Sequence, residues 1–193
     1  QVNRLPADAM GRINADQIEA MPPAAFAGFR PAQVEEMPPG AFAGVLPDQL
    51  QAMPPRVFRA IEPRQFGELP PETVGSLGPA QLRQMPVDTF SGLKPAQVEA
   101  MPPAAFNGFK PAQVGAMPPR AFGGLEGDQL GALPVKAMRG LEPRQLGAMQ
   151  PRAIGAMSAQ QLRQVPAETV AGIKPDQVTA LPREVLGGMK PSQ

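Results

Sequence analysis

Four residue types that carry much of protein chemistry are missing from this chain, which contains no cysteine, histidine, tryptophan or tyrosine. Without cysteine and histidine there are no disulfides, no thiolate or imidazole catalysis, and no ordinary zinc or haem ligands. No pair of carboxylates recurs beside a nucleophile, so acid–base catalysis also lacks its usual groups. We therefore expect a protein that is not an enzyme, with no catalytic, metal-binding or cofactor-binding residues and no cofactor.

Neither sign of charge predominates in this chain, and it has no long apolar run. The chain has 18 basic and 17 acidic residues, a net charge of +1, and they are spread along its length. Binding along a phosphate backbone needs a basic surface, so we expect no nucleic-acid partner. The apolar stretches are too short to cross a bilayer, and from its first residues we expect no signal peptide. Because the lack of cysteine suits either redox environment, it does not decide the compartment.

Proline and glycine are abundant, with 27 and 20 residues, a level that often accompanies disorder. Here they are in phase with a glutamine that recurs every sixteen residues without insertion or deletion. Such a period is typical of a solenoid, in which each repeat packs only on its neighbours. Residues 1–193 are therefore predicted to form a single repeat domain of twelve repeats, marked by Gln1, Gln17, Gln33, Gln49, Gln65, Gln81, Gln97, Gln113, Gln129, Gln145, Gln161, Gln177 and Gln193.

Four columns of each repeat are always large and apolar. With glutamine as position 1, they are positions 2, 5, 10 and 13, and every phenylalanine, methionine and isoleucine of the chain falls in one of them. The spacings of 3, 5, 3 and 5 suit neither a strand nor a long helix. They divide the repeat into two eight-residue units, each predicted to be a very short helix followed by a turn.

The prolines, which occupy only positions 6, 7 and 15, predict where the helices begin and end. In the first unit, Pro95 suits the first helical position, and the Gln97 amide can reach back to the N–H of the cap residue. Met101 precedes a proline, which favours extended backbone and ends the helix. In the second unit, Pro103 begins a helix, and we expect Gly108 to end it in the left-handed conformation.

The predicted fold class is therefore all-α: a solenoid of very short helices, with a 16-residue coil made of two 8-residue helix–turn units. Helices this short need packing between coils to persist. Twelve coils of two helices, with two flat faces, would form an elongated rod on the order of 100 Å long at the usual helix spacing of about 8–10 Å.

The glutamine column has two interpretations. It could be a carbohydrate-binding ladder, but we favour a capping amide that also bonds backbone groups of an adjacent coil. The methionine and phenylalanine columns are interpreted as core rather than as a soft-metal site. Charged residues concentrate at positions 3, 8, 14 and 16 and are interpreted as solvated surface: Glu19, Glu35, Arg56, Arg64, Asp88, Lys94, Lys110, Arg120, Asp128, Lys136, Glu142 and Arg144.

The motif of residues 93–98, Leu-Lys-Pro-Ala-Gln-Val, recurs with small changes at 109–114 and 173–178 and resembles two known types of repeat. It is similar to the helix opening of TAL-effector DNA-binding repeats, but the variable residue pair of that family is absent and the charge balance does not suit DNA. It also resembles the tandem Leu-x-Pro-x-Gln-(Val/Ile/Leu) arrays of large bacterial secreted and cell-surface, adhesin-like proteins, and this resemblance covers nearly the whole chain.

The second resemblance implies an extracellular or cell-surface location and a spacer or stalk role. We expect a non-enzymatic structural or interaction rod; the alternative is a binding module that recognises a protein or polysaccharide through one solenoid face. Solenoid ends normally carry polar capping repeats, yet the last repeat keeps Leu181, Leu186 and Met189. We therefore expect either a window of a longer array or a subunit that stacks on itself end to end, as filaments do.

Overall fold

The computed structural model describes residues 2–193, so Gln1 of the glutamine column lies outside the described residues. Within this range the chain forms seventeen α-helices and seven 3₁₀ helices, none longer than six residues, and no strand. The A helices, which carry the glutamine column, are Val2–Arg4 (3₁₀), Ala15–Glu19, Pro31–Glu35, Pro47–Ala52, Pro63–Glu68, Pro79–Gln84, Pro95–Ala100, Pro111–Ala116, Gly127–Ala132, Pro143–Ala148, Ala159–Leu162 and Pro175–Ala180.

The B helices follow the A helices along the chain, one B helix after each A helix. Half of them are α-helical: Pro23–Phe26, Pro71–Gly75, Pro103–Phe106, Pro151–Ile154, Ala167–Val170 and Arg183–Leu186. The others are 3₁₀ helices: Ala7–Arg12, Pro39–Gly44, Pro55–Ala60, Asp88–Gly92, Pro119–Gly124 and Val135–Gly140. The all-α solenoid and its eight-residue helix–turn unit are thus confirmed.

Proline sets the helix boundaries in the expected way. Pro95 is the first residue of its A helix, and Met101 after that helix is extended, with φ −71° and ψ 133°. Pro103 begins the following B helix, and Pro102 before it is also extended, with φ −66° and ψ 145°. Each unit therefore alternates one short helix with one extended corner.

The number of units per turn differs from the expectation. Inside the rod, each helix packs against the helix three units before it and the helix three units after it, as Pro71–Gly75 does on Pro95–Ala100 and Pro95–Ala100 on Pro119–Gly124. One turn of the solenoid therefore holds three units rather than two, and the helices form eight turns with three faces. At about 8–10 Å per turn, the rod is on the order of 60–80 Å long, which is shorter than expected.

Because a turn of three units is one and a half sequence repeats, every A helix stacks on B helices and every B helix on A helices. Successive A helices along the chain point to three different faces in turn. The pattern on one face therefore recurs only after two turns, or three full sequence repeats.

The apolar columns form one continuous core. From Phe26 to Val165, every residue at positions 2, 5, 10 and 13 is buried. Aromatic pairs link successive turns within it: the rings of Phe66 and Phe90, one turn apart along the chain, lie 6.0 Å apart in an edge-to-face arrangement. Toward the two ends the same columns are only partly buried, at Val2, Ile13, Met21, Val170, Ile173, Leu186 and Met189.

The prediction that glycines such as Gly108 end the B helices in the left-handed conformation is wrong. No residue in the range 2–193, glycine included, has a positive φ. Gly124 is instead required by a close approach between turns, because a Cβ built on it would lie 2.1 Å from the carbonyl oxygen of Pro95. Gly92 meets Pro63 in the same way, at 1.9 Å. The small residue at the end of a B helix lets it lie against the start of an A helix in the previous turn.

Candidate functional site: the glutamine ladder and the outer surface

Each column glutamine from Gln17 to Gln177 caps its own helix, and Gln193 accepts the equivalent bond from the N–H of Lys190. The N–H of Lys94, the cap residue, donates to Oε1 of Gln97 at 2.9 Å. The same bond recurs in every A helix from Ala15–Glu19 onward, for example from Lys110 to Gln113 at 3.0 Å. Glutamine is at the third helical position, so its side chain can fold back to the N–H that the helix leaves unpaired.

The same amide also binds the previous turn. Nε2 of Gln97 donates to the backbone oxygens of Phe66 at 2.9 Å and of Leu69 at 2.8 Å. These acceptors lie 31 and 28 residues earlier, at the C-terminal end of an A helix. Ten glutamines make this bridge, and together they form the glutamine ladder: Gln33, Gln49, Gln65, Gln97, Gln113, Gln129, Gln145, Gln161, Gln177 and Gln193.

The prediction of an amide that caps one helix and bonds an adjacent coil is confirmed. Gln33, Gln49 and most of the other ladder side chains are buried, which places them among the coils rather than on a ligand-binding surface. Gln81 keeps the capping bond from Gly78, at 2.7 Å, but its Nε2 has no bond to another turn among residues 2–193. That difference makes it a natural internal control.

Three threonines of the B helices extend the ladder, and the sequence pattern did not predict their role. Thr73, Thr89 and Thr169 are buried, and each hydroxyl donates to a carbonyl oxygen 28 residues earlier at 2.6–2.7 Å. They lie eight residues after a glutamine of the column. The eight-residue half-repeat could have indicated their role, because these threonines hold in B helices the position that glutamine holds in A helices.

The methionine column belongs to the core: Met37, Met53, Met85, Met101, Met117 and Met149 are all buried. No group of three or more acidic side chains within residues 2–193 is arranged to hold a metal ion. No helix in this range is both long enough and apolar enough to cross a membrane.

The charged columns form the outer surface, as expected, and all twelve residues named for them are exposed. Two ion pairs occur among the described residues, Lys94–Glu68 at 3.4 Å and Arg152–Glu126 at 2.6 Å. Both pairs join one turn to the next. Because all four side chains are well exposed, each pair contributes at most about 1 kcal/mol.

Shallow grooves lie where a glycine corner meets the start of an A helix. One groove is lined by Arg64, Gly92 and Lys94, with the Lys94 amine paired to Glu68. An equivalent groove at Gly172, on another face, is lined by two basic residues and no acidic one. The grooves follow from the stacking geometry, and their charge differs from face to face.

Comparison with models of known protein families finds no match, and comparison with curated proteins finds no significant match either.

Proposed function

We propose that this chain is a non-enzymatic structural rod, a spacer or stalk that holds whatever it connects at a set distance. The observation that carries this proposal is the glutamine ladder on a continuous core. Each ladder amide inside a helix, such as that of Gln97, ties the start of its helix to a corner of the preceding turn, so the rod is braced along its length. Buried hydrogen bonds of this kind favour one arrangement of the turns over others.

The outer surface supports the same role. Its charged columns mix both signs and change from face to face, so no single polar cluster dominates the described residues. A spacer needs a hydrated surface and a stiff interior, and this arrangement supplies both. The proposal of a bacterial cell-surface or secreted location rests on the resemblance of the Leu-x-Pro-x-Gln motif to adhesin-like arrays.

Single-molecule energy transfer tests the spacer role, because the absence of cysteine allows unique labelling. Asp8→Cys and Glu184→Cys place dyes on exposed residues of the first and last B helices. We expect one narrow distance distribution on the order of 60 Å, unchanged between low and high salt. A broad distribution that shifts with salt, as in a flexible linker, would contradict the proposal.

Small-angle scattering of the unlabelled monomer gives a second readout. A compact globule of 193 residues has a radius of gyration of about 16 Å. A rod of eight turns should exceed this, at roughly 21 Å for a length of about 70 Å. A value near that of the globule would rule out the rod.

A further inference from the structure

We propose that two copies of this chain pair side by side and antiparallel, through one of the three faces of the solenoid. The inference goes beyond the spacer role and rests on how charge is distributed over that face. We call it the polarised face; it is the stack of eight helices, in this order, Ala15–Glu19, Pro39–Gly44, Pro63–Glu68, Asp88–Gly92, Pro111–Ala116, Val135–Gly140, Ala159–Leu162 and Arg183–Leu186.

The two signs of charge are separated along the polarised face. With their cap residues, the first four helices carry five acidic residues and one basic residue, Arg64, whereas the last four carry five basic residues and one acidic residue, Glu184. All of these side chains are exposed. The acidic set is Asp16, Glu19, Glu62, Glu68 and Asp88, and the basic set is Lys110, Lys136, Arg139, Arg163 and Arg183.

The other two faces lack this separation, because the sign of their charge changes back and forth along the rod. In chain order, the alternating residues are Arg56, Asp128 and Arg152 on one face, and Glu72, Arg120 and Glu168 on the other. Only the polarised face therefore has an acidic half and a basic half.

Antiparallel pairing brings the unlike halves of this face together. A two-fold axis that crosses the middle of the face, parallel to its helices, places the fourth helix of one copy on the fifth helix of the other, and the third helix on the sixth. The same rotation keeps helix starts opposite helix starts, because it leaves the direction of each helix unchanged. Every contact then occurs twice, as in any isologous dimer.

The charges agree with this register at both ends of the helices. Asp88 begins the fourth helix, and it lies opposite Lys110, the cap residue of the fifth. Glu68 ends the third helix, and it lies opposite Arg139 near the end of the sixth. Glu68 also pairs with Lys94 of its own copy. Opposite charges placed in this way favour one orientation and disfavour the parallel one, in which like halves would meet.

The middle of the face also carries an exposed apolar side chain. Val87, the cap residue of the fourth helix, is 40% exposed. In the next turn the helix Pro111–Ala116 presents the small residues Ala112 and Gly115. Val87 of each copy would lie against these small residues of the other copy. An apolar centre inside a charged rim is the usual arrangement of a protein interface.

Two of the basic side chains are already held in place. Nζ of Lys110 donates to the backbone oxygen of Arg83 at 3.1 Å. Nε of Arg139 donates to Oε1 of Gln164 at 2.7 Å. A side chain that is ordered before binding loses less conformational entropy when the complex forms.

A second copy of the chain fits this face better than a charged polymer does. A polyanion would meet like charge along the acidic half, and a polycation would meet it along the basic half. The rotated copy instead presents the opposite sign to both halves at once. Charge complementarity therefore identifies the partner as the chain itself.

Sedimentation velocity over a concentration series tests the inference. At low salt the mass of the polypeptide should double and rise no further, because each copy has one polarised face. Screening should raise the dissociation constant of the dimer at least tenfold, by an order-of-magnitude estimate, between about 20 mM and about 500 mM salt.

A pair of double variants tests the face. Lys136→Glu with Arg139→Glu should raise the dissociation constant at least about tenfold, because the basic half loses two cations and gains two carboxylates. Arg56→Glu with Arg59→Glu is the matched control. It changes the same two positions of a B helix on another face, and Arg59 also donates to a glutamine 25 residues later, Gln84. This control should dimerise like the unmodified chain.

A mixing experiment tests the contact between the halves. Glu62→Lys with Glu68→Lys makes the polarised face basic, whereas Lys136→Glu with Arg139→Glu makes it acidic. Each variant alone should repel itself and remain monomeric. Their mixture should form a heterodimer, since both symmetric contacts then join opposite charges. Circular dichroism verifies the fold of each variant, and all four residues are exposed in the monomer.

Energy transfer between copies tests the orientation. Asp8→Cys labels the first turn and Glu168→Cys labels the last, at exposed residues outside the polarised face. A donor on Asp8→Cys and an acceptor on Glu168→Cys of a second copy should transfer energy strongly. Two copies labelled at Asp8→Cys should transfer weakly, because the dyes then lie on the order of 60 Å apart. The reverse pattern would refute the antiparallel arrangement.

Four other results would overturn the inference: a strictly monomeric chain at low salt, a dimer that survives Lys136→Glu with Arg139→Glu, equal loss of the dimer in the control, or a mixture that forms no heterodimer. A monomer that binds a polyanion through Lys136 and Arg139 would show that the partner is not a second copy. A monomer with the rod-like radius of gyration would refute the pairing and leave the proposed rod intact.

Discussion

At the scale of single residues, one glutamine amide uses its oxygen and its nitrogen for different tasks. Oε1 of Gln97 caps its own helix, and Nε2 donates to two carbonyl oxygens of the previous turn. Gln97 is 1% exposed, so removal of the amide leaves the Leu69 carbonyl without its donor and the Lys94 N–H without its acceptor. The Phe66 carbonyl still accepts from the N–H of Leu69. An unpaired buried polar group costs about 1–3 kcal/mol.

We predict that Gln97→Ala lowers the free energy of unfolding by about 1.5–3 kcal/mol. Gln81→Ala should lower it by only about 0.5–1 kcal/mol, because Gln81 makes the capping bond alone. Urea unfolding followed by circular dichroism measures both values, and their difference isolates the bridge between turns. Equal losses for the two variants would show that the bridge adds nothing to stability.

The threonines suggest a second residue-scale test, at Val57. Val57 is fully buried at the position that Thr73 and Thr89 hold in other B helices. By the spacing of the threonine bonds, the matching acceptor for position 57 is the carbonyl oxygen of Phe29. Because the new hydroxyl can donate to that oxygen, Val57→Thr should not destabilise the protein. The free energy of unfolding should stay within about 0.5 kcal/mol of the unmodified value or rise by about 1 kcal/mol.

Val45→Thr is the control for this prediction, since Val45 is fully buried in the apolar core. A hydroxyl introduced there should lower the free energy of unfolding by about 1–3 kcal/mol. Thermal and urea unfolding of the two variants give the comparison. If both threonines destabilise equally, position 57 is not equivalent to the threonine positions.

At the scale of the helix, stability comes from contacts between turns rather than from the helix itself. Helices of six residues or fewer are too short to persist alone in water. Proline at the first position of most helices, and extended residues before the prolines, limit these helices to one unit. The short unit is what allows three corners in each turn.

Glycine at some positions allows a close approach between turns, and at others it only loosens the helix. Substitution by alanine should therefore destabilise the protein at the first kind of position and stabilise it at the second. Gly124→Ala places Cβ 2.1 Å from the Pro95 oxygen, and backbone must move to relieve the overlap. We expect it to lower the free energy of unfolding by more than about 2 kcal/mol. Gly131 has no atom within 4 Å of a built Cβ, so Gly131→Ala should raise it by about 0.4–1 kcal/mol.

The melting temperatures of the two glycine variants measure this contrast in a single experiment. Each residue lies within or at the end of a short helix, so helix propensity alone would predict stabilisation in both. A Gly124→Ala variant as stable as the unmodified chain would mean that the close approach between turns is not needed.

At the scale of the whole molecule, two periods coexist: the sequence repeats every two units, whereas one turn of the solenoid takes three. Their combination places A helices only on B helices.

Deletions test which period the fold depends on. Removal of residues 97–112 takes out one sequence repeat and keeps the alternation of A and B units, although it removes only two thirds of a turn.

We predict that the 97–112 deletion folds cooperatively with nearly the stability of the full chain. Removal of residues 97–120 takes out one whole turn but places B beside B along the chain. Like helices would then stack, and A on A would put an alanine where Gly124 now meets Pro95. This deletion should unfold at lower denaturant, as followed by circular dichroism. The reverse order of stabilities would refute the role assigned to the alternation.

Much of this architecture could be predicted from the sequence because it depends on local chemistry. Proline restricts its own backbone and that of the preceding residue, so the helix boundaries around Pro95 and Met101 could be inferred. Apolar side chains avoid water, so the four columns identified the core. The glutamine at the third helical position implied capping, and its regular recurrence implied a contact repeated from coil to coil.

The number of units per turn, in contrast, was decided by tertiary structure. A sequence period shows which residues are equivalent, but the angle at each corner depends on how distant turns pack. Three units close a turn because corners such as Gly124 lie against Pro95 of the previous turn. For the same reason, the acceptors of Gln97 at positions 66 and 69 and the role of the corner glycines depend on contacts with the previous turn, which no local pattern encodes.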